Sequence, residues 1–310
     1  MELRRLGDSG LKVSEVGLGC NNFGMRIEQA AATEVVEAAL DAGINFFDTA
    51  DMYGGAQSEV MLGKALGARR SEAVVATKFG LAMGKRPDQR GASRRYIMEA
   101  VEGSLKRLGT DYIDLYQLHR PDPDTPIEET LSALDDLVHA GKVRYIGSSG
   151  FAGWQIADAE WTARAGGLSR FLTAQDHFNI LERGIEKEVI PACERFNLGL
   201  LPYFPLASGL LSGKYHRGEA AGADTRLSNP RFAGNSLTDQ NFDRVERLAA
   251  WAAERDHSLL ELAFAWLLGH KLVPSVIAGA TRPDQVKANV AAAGWRLTPE
   301  EVAEVAKLAG

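Results

Sequence analysis

The sequence predicts a single-domain α/β fold of the (β/α)8, or TIM barrel, class, and three observations predict it. A short apolar run followed by an amphipathic helical stretch recurs eight times in the 310-residue chain, which fits the ~250 residues typical of such a barrel. The predicted strands are apolar on both faces, as strands are when helices cover one side and packed side chains fill the other. The turn after the first strand, Gly17-Leu18-Gly19-Cys20-Asn21-Asn22-Phe23-Gly24, lacks the GxGxxG spacing that the rival, an open doubly wound sheet, requires there.

The elements follow in order. Residues 2 to 13 read as a short hairpin that turns at Asp8-Ser9-Gly10 and closes the barrel floor. The eight predicted strands are Val16 to Leu18, Asn45 to Phe47, Ala73 to Thr77, Tyr112 to Tyr116, Arg144 to Ile146, Leu172 to Gln175, Gly199 to Tyr203, and Val276 to Ile277. The helices after them are predicted over Glu28 to Ala42, Ser58 to Leu66, Ser93 to Leu108, Ile127 to Ala140, Gly153 to Ala165, Gly184 to Phe196, Asn241 to Arg255 and Pro283 to Ala292. Several end in glycine, as at Gly43 and Gly141, which suits a left-handed C-terminal cap. Ser258 to Leu268 is an additional apolar helix outside the repeat. Two long polar segments, 79–92 and 212–240, are expected to be lids or binding loops, because loops of that length in a compact domain are usually functional. No linker divides the chain, so 1–310 is expected to form one domain.

Composition narrows the function classes. With 45% hydrophobic and 25% charged residues, the chain has ordinary globular make-up. A formal net charge of -6 gives no basic footprint for nucleic acid or an anionic membrane. Cys20 and Cys193 lie far apart and outside any CxxC pair, which argues against a disulfide scaffold or a zinc cluster. The N-terminal stretch lacks a continuous apolar run, and no run of ~18 apolar residues occurs. The expectation is a cytoplasmic protein that acts on a small molecule, without a nucleic-acid or membrane partner.

Barrels of this class carry their sites at the C-terminal ends of the strands. Asp48 follows the second predicted strand, Lys78 the third, and His119 lies just past the fourth; Tyr53 sits in the loop beyond Asp48. Taken singly, Asp48 reads as a cap before Thr49, Tyr53 as a loop residue and His119 as a solvated histidine. Lys78 at the end of an apolar strand is harder to place without a partner. All four on one rim point to chemistry. Carbonyl reduction needs hydride at carbon and a proton for the developing alkoxide. A phenol, with an ordinary pKa of about 10, is protonated at neutral pH and can donate. A neighbouring ammonium stabilises the phenolate left behind. A carboxylate keeps that ammonium charged, and a histidine orients the substrate oxygen. An aldolase that forms a Schiff base on Lys78 is an alternative.

With these residues placed, the sequence resembles the aldo-keto reductase superfamily. Gly43-Ile44-Asn45-Phe46-Phe47-Asp48-Thr49-Ala50 followed by Tyr53-Gly54 is similar to its first signature. The stretch from Leu105 to His119 is similar to the second, and Val75-Ala76-Thr77-Lys78 to the lysine strand. The likeness runs from about residue 3 to residue 307. Tyr203 to Tyr215 is similar to bacterial reductases related to potassium-channel β-subunits.

The resemblance implies an NADP-dependent oxidoreductase reducing an aldehyde or ketone, with Asp48, Tyr53, Lys78 and His119 as its catalytic tetrad. It implies Ser149 and Gln175 at the nicotinamide carboxamide, Tyr203 stacked on the nicotinamide, and Leu206, Ser208 and Leu210 along the pyrophosphate. Gly279, Thr281, Arg282, Gln285 and Asn289 would surround the adenosine phosphate and adenine. Arg282 at a helix start suits a 2′-phosphate, so NADPH is expected over NADH. The channel-related branch leaves open a cofactor-bound regulatory subunit with little turnover. Three positions depart from the pattern: Gly150 where asparagine is usual, Phe204 where serine is common, and Ala288 where an acidic residue often stands. They bear on cofactor affinity and on NADP-versus-NAD preference. Phe23, Met52, Phe79, Phe151 and Trp154 follow strand ends and are expected to line an apolar substrate pocket. Beyond Arg120 no arginines cluster near His119, which argues against a large anionic substrate.

Overall fold

Side chains alternate from one face of a strand to the other, and that alternation organises the molecule. The structure, a computed structural model, describes residues 1–310 except 85, 220, 221, 223, 224 and 229–235, with the backbone alone at 226. After a hairpin of β1 (Leu3–Arg5) and β2 (Lys12–Ser14) come eight strands: β3 (Val16–Gly19), β4 (Phe46–Asp48), β5 (Val74–Phe79), β6 (Ile113–Leu118), β7 (Val143–Ser149), β8 (Phe171–His177), β9 (Gly199–Tyr203) and β10 (Val276–Gly279). They form one sheet in the order β10-β3-β4-β5-β6-β7-β8-β9, with parallel neighbours. The Leu200 amide donates to the Leu272 carbonyl at 2.8 Å, tying β9 to the approach to β10. The sheet is thus nearly closed, and the fold is the (β/α)8 barrel that the repeat predicts.

The barrel interior fills in layers. At the bottom, Leu6 and Val13 from the hairpin pack with Phe46, Val74, Ala76, Leu115, Leu172, Leu201 and Ile277, so the hairpin does close the floor. In the middle, the Thr173 hydroxyl donates to Gln117 Oε1 at 3.3 Å. On β5, Val74 and Ala76 face this interior while Val75 and Phe79 belong to the outer core beneath the helices. The same parity turns Lys78 inward.

Helices α1 (Gln29–Asp41), α2 (Gln57–Leu66), α3 (Arg94–Leu108), α4 (Ile127–His139), α5 (Gly153–Gly166), α6 (Val189–Phe196), α7 (Asp239–Ala253), α8 (Leu259–Leu268), α9 (Pro283–Ala292) and α10 (Pro299–Ala309) surround the sheet. The left-handed glycines Gly43 (φ 83°) and Gly141 (φ 72°) follow the ends of α1 and α4 as expected. Helix α6 starts later than predicted because Gly184–Lys187 forms a separate 3-10 turn. Helix α10 was not anticipated, although its start carries a signal. Pro299 opens it, the Thr298 hydroxyl accepts from the Glu301 amide at 3.2 Å, and Glu301 accepts from the Thr298 amide at 2.8 Å.

The long segments are partly structured. Gly91 and Gly80 pair through their backbones at 2.8 Å, and the Asp122 carboxylate accepts from the Ala92 amide at 2.7 Å. In 212–240, the turn Arg226–Ser228 buries Leu227 next to Tyr215, whose hydroxyl accepts from the Leu227 amide at 3.4 Å. Much of that predicted loop, at 220, 221, 223, 224 and 229–235, lies outside the described residues. Among the described residues, no helix is long and apolar enough to cross a membrane.

Candidate active site

The site is built on the top layer of the barrel. Lys78, fully buried, donates to both oxygens of Asp48 at 2.7 and 2.8 Å and to the Thr49 carbonyl at 2.8 Å. The ammonium also hydrogen-bonds the Tyr53 side chain, so its protons are engaged on every side. Gln175 Nε2 donates to Asp48 Oδ2 at 2.9 Å, so the carboxylate is held from two strands. Burial works to lower the Lys78 pKa. The facing Asp48 carboxylate and the Tyr53 hydroxyl outweigh it, and the pKa stands above the ordinary lysine value. Lys78 stays an ammonium.

Tyr53 is brought over this pair by a pinned loop. The Thr49 amide donates to Ala76 O at 2.8 Å and the Asp51 amide to Lys78 O at 3.0 Å. Gly54, at φ 58°, makes the close approach possible: a Cβ there would lie 2.3 Å from the Phe23 carbonyl. The Tyr53 ring centroid is 5.1 Å from Lys78 Nζ, and His119 stands edge-on to it at 5.8 Å. Burial, then the charges of Lys78 and Arg120, lower His119 to about 3. It is a neutral imidazole at physiological pH, able to donate one hydrogen bond.

Asp48, Tyr53 and His119 open onto a cavity of about 480 Å³, with Lys78 behind Asp48. Of the residues expected at a cofactor, Ser149, Gln175, Tyr203, Leu206, Ser208, Gly279, Thr281, Gln285 and Asn289 line it. Two do not. Leu210 is buried in the core, and Arg282 lies outside the wall, its guanidinium on Asp284 through two contacts of 3.1 Å. Phe204 and Ala288, two of the departures, also line the cavity.

None of the five residues expected in a substrate pocket lines this cavity. Phe23, Phe79 and Phe151 are core residues; Phe79 stacks on Tyr116 at 4.6 Å and Phe151 meets Phe171 edge-on at 5.7 Å. Parity decides Phe79: with Lys78 turned inward, its neighbour must face the helices. Met52 and Trp154 are exposed. The wall is completed instead by Asn21, Asn22, Arg26, Arg120, Ser212 and Lys214, which sequence reading did not place there. Their signal was weak, because they come from separate loops with no shared motif. The stretch Ser212-Gly213-Lys214 lay within a segment already compared, and only the fold shows that its lysine faces the cavity.

The wall fits an extended dinucleotide. Ser149 and Gln175 are register partners on β7 and β8, which sets a hydroxyl and an amide side chain next to each other, with Gln175 bonded to Asp48. Gly19 and Gly279 are register partners on β3 and β10, where a Cβ on Gly279 would press on Asn22 at 3.2 Å. The loop after β9 holds Phe204, Ala207 and Ser208 at φ 52°, 46° and 59°. Strain of this kind persists where surrounding structure fixes a binding loop.

A sequence profile described as "Aldo/keto reductase family" matches residues 15–309. The chain belongs to the aldo/keto reductase family. Among similar proteins is a probable voltage-gated potassium channel subunit beta of Oryza sativa subsp. japonica, 38% identical over 98% of this chain and 95% of its own. A versiconal hemiacetal acetate reductase of Aspergillus parasiticus is 38% identical, covering 97% of this chain and 95% of its own. An uncharacterized oxidoreductase of Bacillus subtilis, YrpG, is 35% identical over 97% and 93%.

Proposed function

We propose that this protein reduces an aldehyde or ketone to the alcohol with NADPH, and that Tyr53 donates the proton. The observation that carries this reading is the stack of Asp48, Lys78 and Tyr53, with a neutral His119 at its side. A bound nicotinamide supplies the hydride to the carbonyl carbon. Tyr53 and His119 hold the carbonyl oxygen, and the Tyr53 proton moves to that oxygen as its charge develops. The phenolate left on Tyr53 faces the Lys78 ammonium, which Asp48 keeps charged. The engaged protons of Lys78 support this electrostatic role and argue against a Schiff-base nucleophile, which needs a neutral amine with space before it.

Ser149 and Gln175 would hold the carboxamide, and Tyr203 would stack on the ring. Ser208, with Leu206 beside it, would border the pyrophosphate. Thr281, Gln285 and Asn289 would hold the adenosine end. Arg282 caps the start of α9 and is exposed, so a 2′-phosphate can compete for it with Asp284; this favours NADPH over NADH.

The test is NADPH oxidation over a panel of aldehydes and ketones. The wild-type protein is expected to turn over, and Tyr53→Phe to lose at least about 100-fold in kcat while binding NADPH with similar affinity. Wild-type kcat in that variant would overturn the mechanism. NADPH binding without turnover of any carbonyl would instead favour a cofactor-bound regulatory subunit; the rice relative is named a probable voltage-gated potassium channel subunit beta.

A further inference from the structure

We propose that Arg120 selects substrates carrying a carboxylate near the reacting carbonyl, an inference that rests on the reductase reading above. Arg120 follows His119 directly in the chain, and both side chains line the cavity. Its Nη2 donates to the Tyr203 hydroxyl at 3.5 Å, and its guanidinium carbon lies 5.9 Å from the centre of the Tyr203 ring. A guanidinium flanked by an aromatic wall and a neutral histidine is set for a planar, bidentate anion.

Lys78, behind the wall, is paired with Asp48, whereas Arg120 lines the cavity along with Arg26 and Lys214 and stands next to His119. Among the described residues, no carboxylate lies within 4.0 Å of the Arg120 guanidinium. Asp176 on β8 feels the charge of Arg120, yet burial raises its pKa to about 7, so near neutrality it is only partly ionised. An anionic substrate group would therefore meet a cation whose charge is not already neutralised.

The position is also made for it. Gly150, at φ 66°, closes β7 beside the site, and a Cβ built there would come within 2.1 Å of Arg120 Nη1. Any side chain at 150 would displace the guanidinium from this place. The glycine leaves a berth that the arginine of the neighbouring strand end occupies. A single guanidinium suits one carboxylate on a small molecule; Lys214 lines the same cavity from the loop after β9, beside Gly209 and Tyr215.

The probes are 4-formylbenzoate and its methyl ester, which share the reacting aldehyde and differ in charge. The wild-type protein is expected to favour the carboxylate in kcat/KM, chiefly through KM. In Arg120→Met the carboxylate-to-ester ratio is expected to fall about 10–100-fold, with partial recovery in Arg120→Lys. A ratio of one in the wild type, or the same ratio in Arg120→Met, would overturn the proposal. Benzoate binding to the NADPH-loaded protein, followed by calorimetry, decides the point without turnover: binding lost in Arg120→Met supports the assignment, and equal binding removes it. If the wild type reduces neither aldehyde yet binds benzoate through Arg120, the reductase reading fails and the anion site stands.

Discussion

The two halves of the cavity are built in different ways. On one side Asp48, Ser149 and Gln175 stand on regular strands, and Asp48 and Gln175 hydrogen-bond each other. On the other, Phe204 to Ser208 form a loop with three non-glycine residues at positive φ, and Arg282 pairs with Asp284 at an exposed position. The strand half places charges by sheet register, which no local fluctuation alters. The loop half spends backbone strain to present its groups. The Asp48–Lys78 pair thus sits on rigid strands, whereas Tyr53 and the 204–208 segment are presented by loops held through backbone hydrogen bonds.

The largest effect expected from breaking this contrast is in the strand half. Lys78→Met leaves the Asp48 carboxylate buried without its cation, which costs about 3–5 kcal/mol of stability by the behaviour of broken buried pairs. Urea denaturation measures it. A variant as stable as wild type would show that Gln175 alone satisfies Asp48. Activity is expected to vanish with the ammonium.

The loop half should respond differently. A β-branched residue at φ 59° is a steric outlier, so Ser208→Val is expected to cost about 1–3 kcal/mol and to weaken NADPH binding. Ser208→Gly relieves the same backbone and should hold or raise the melting temperature. Should both variants lose equal stability, the strain is not what shapes this loop.

A pH-dependent effect is expected in the loop after β4 that carries Tyr53. Burial, with the charge of Glu59, raises Asp51 to about 8. The folded state therefore binds the extra proton between the ordinary carboxylate range and about pH 8. Across that window the contribution of Asp51 to stability falls as pH rises, and above it stays flat. Asp51→Asn removes the dependence, so the variant should gain on the wild type progressively from about pH 5 to about pH 8 in thermal melts. A difference that is independent of pH would place the carboxyl in its ionised form throughout.

Much of this molecule was legible because its pattern is periodic. Alternating strands and helices gave the barrel, and Asp48, Lys78 and His119 were readable as strand-end residues. Phe79 shows where the reading failed: one residue past Lys78, it has the same sequence context yet the opposite face. The error lay in listing aromatics by proximity to strand ends without following the parity of each strand. Helix α10 lies beyond the eightfold repeat and is marked in sequence only by the capping signal Thr298-Pro299-Glu300-Glu301.

The amino-acid sequence by itself determined the order of elements, the hairpin floor and the identity of the ionisable groups, since these follow from local periodicity and turn chemistry. Only the tertiary structure decided which way each strand turns its side chains and which distant loops share a wall. Register and barrel closure set those relations, as when Gly150 makes room for Arg120 from the neighbouring strand end. Tyr53 belongs to both accounts. Its residue type carries the acidic proton that the proposed reaction needs, and the loop pinned over Lys78 sets that proton beside the ammonium.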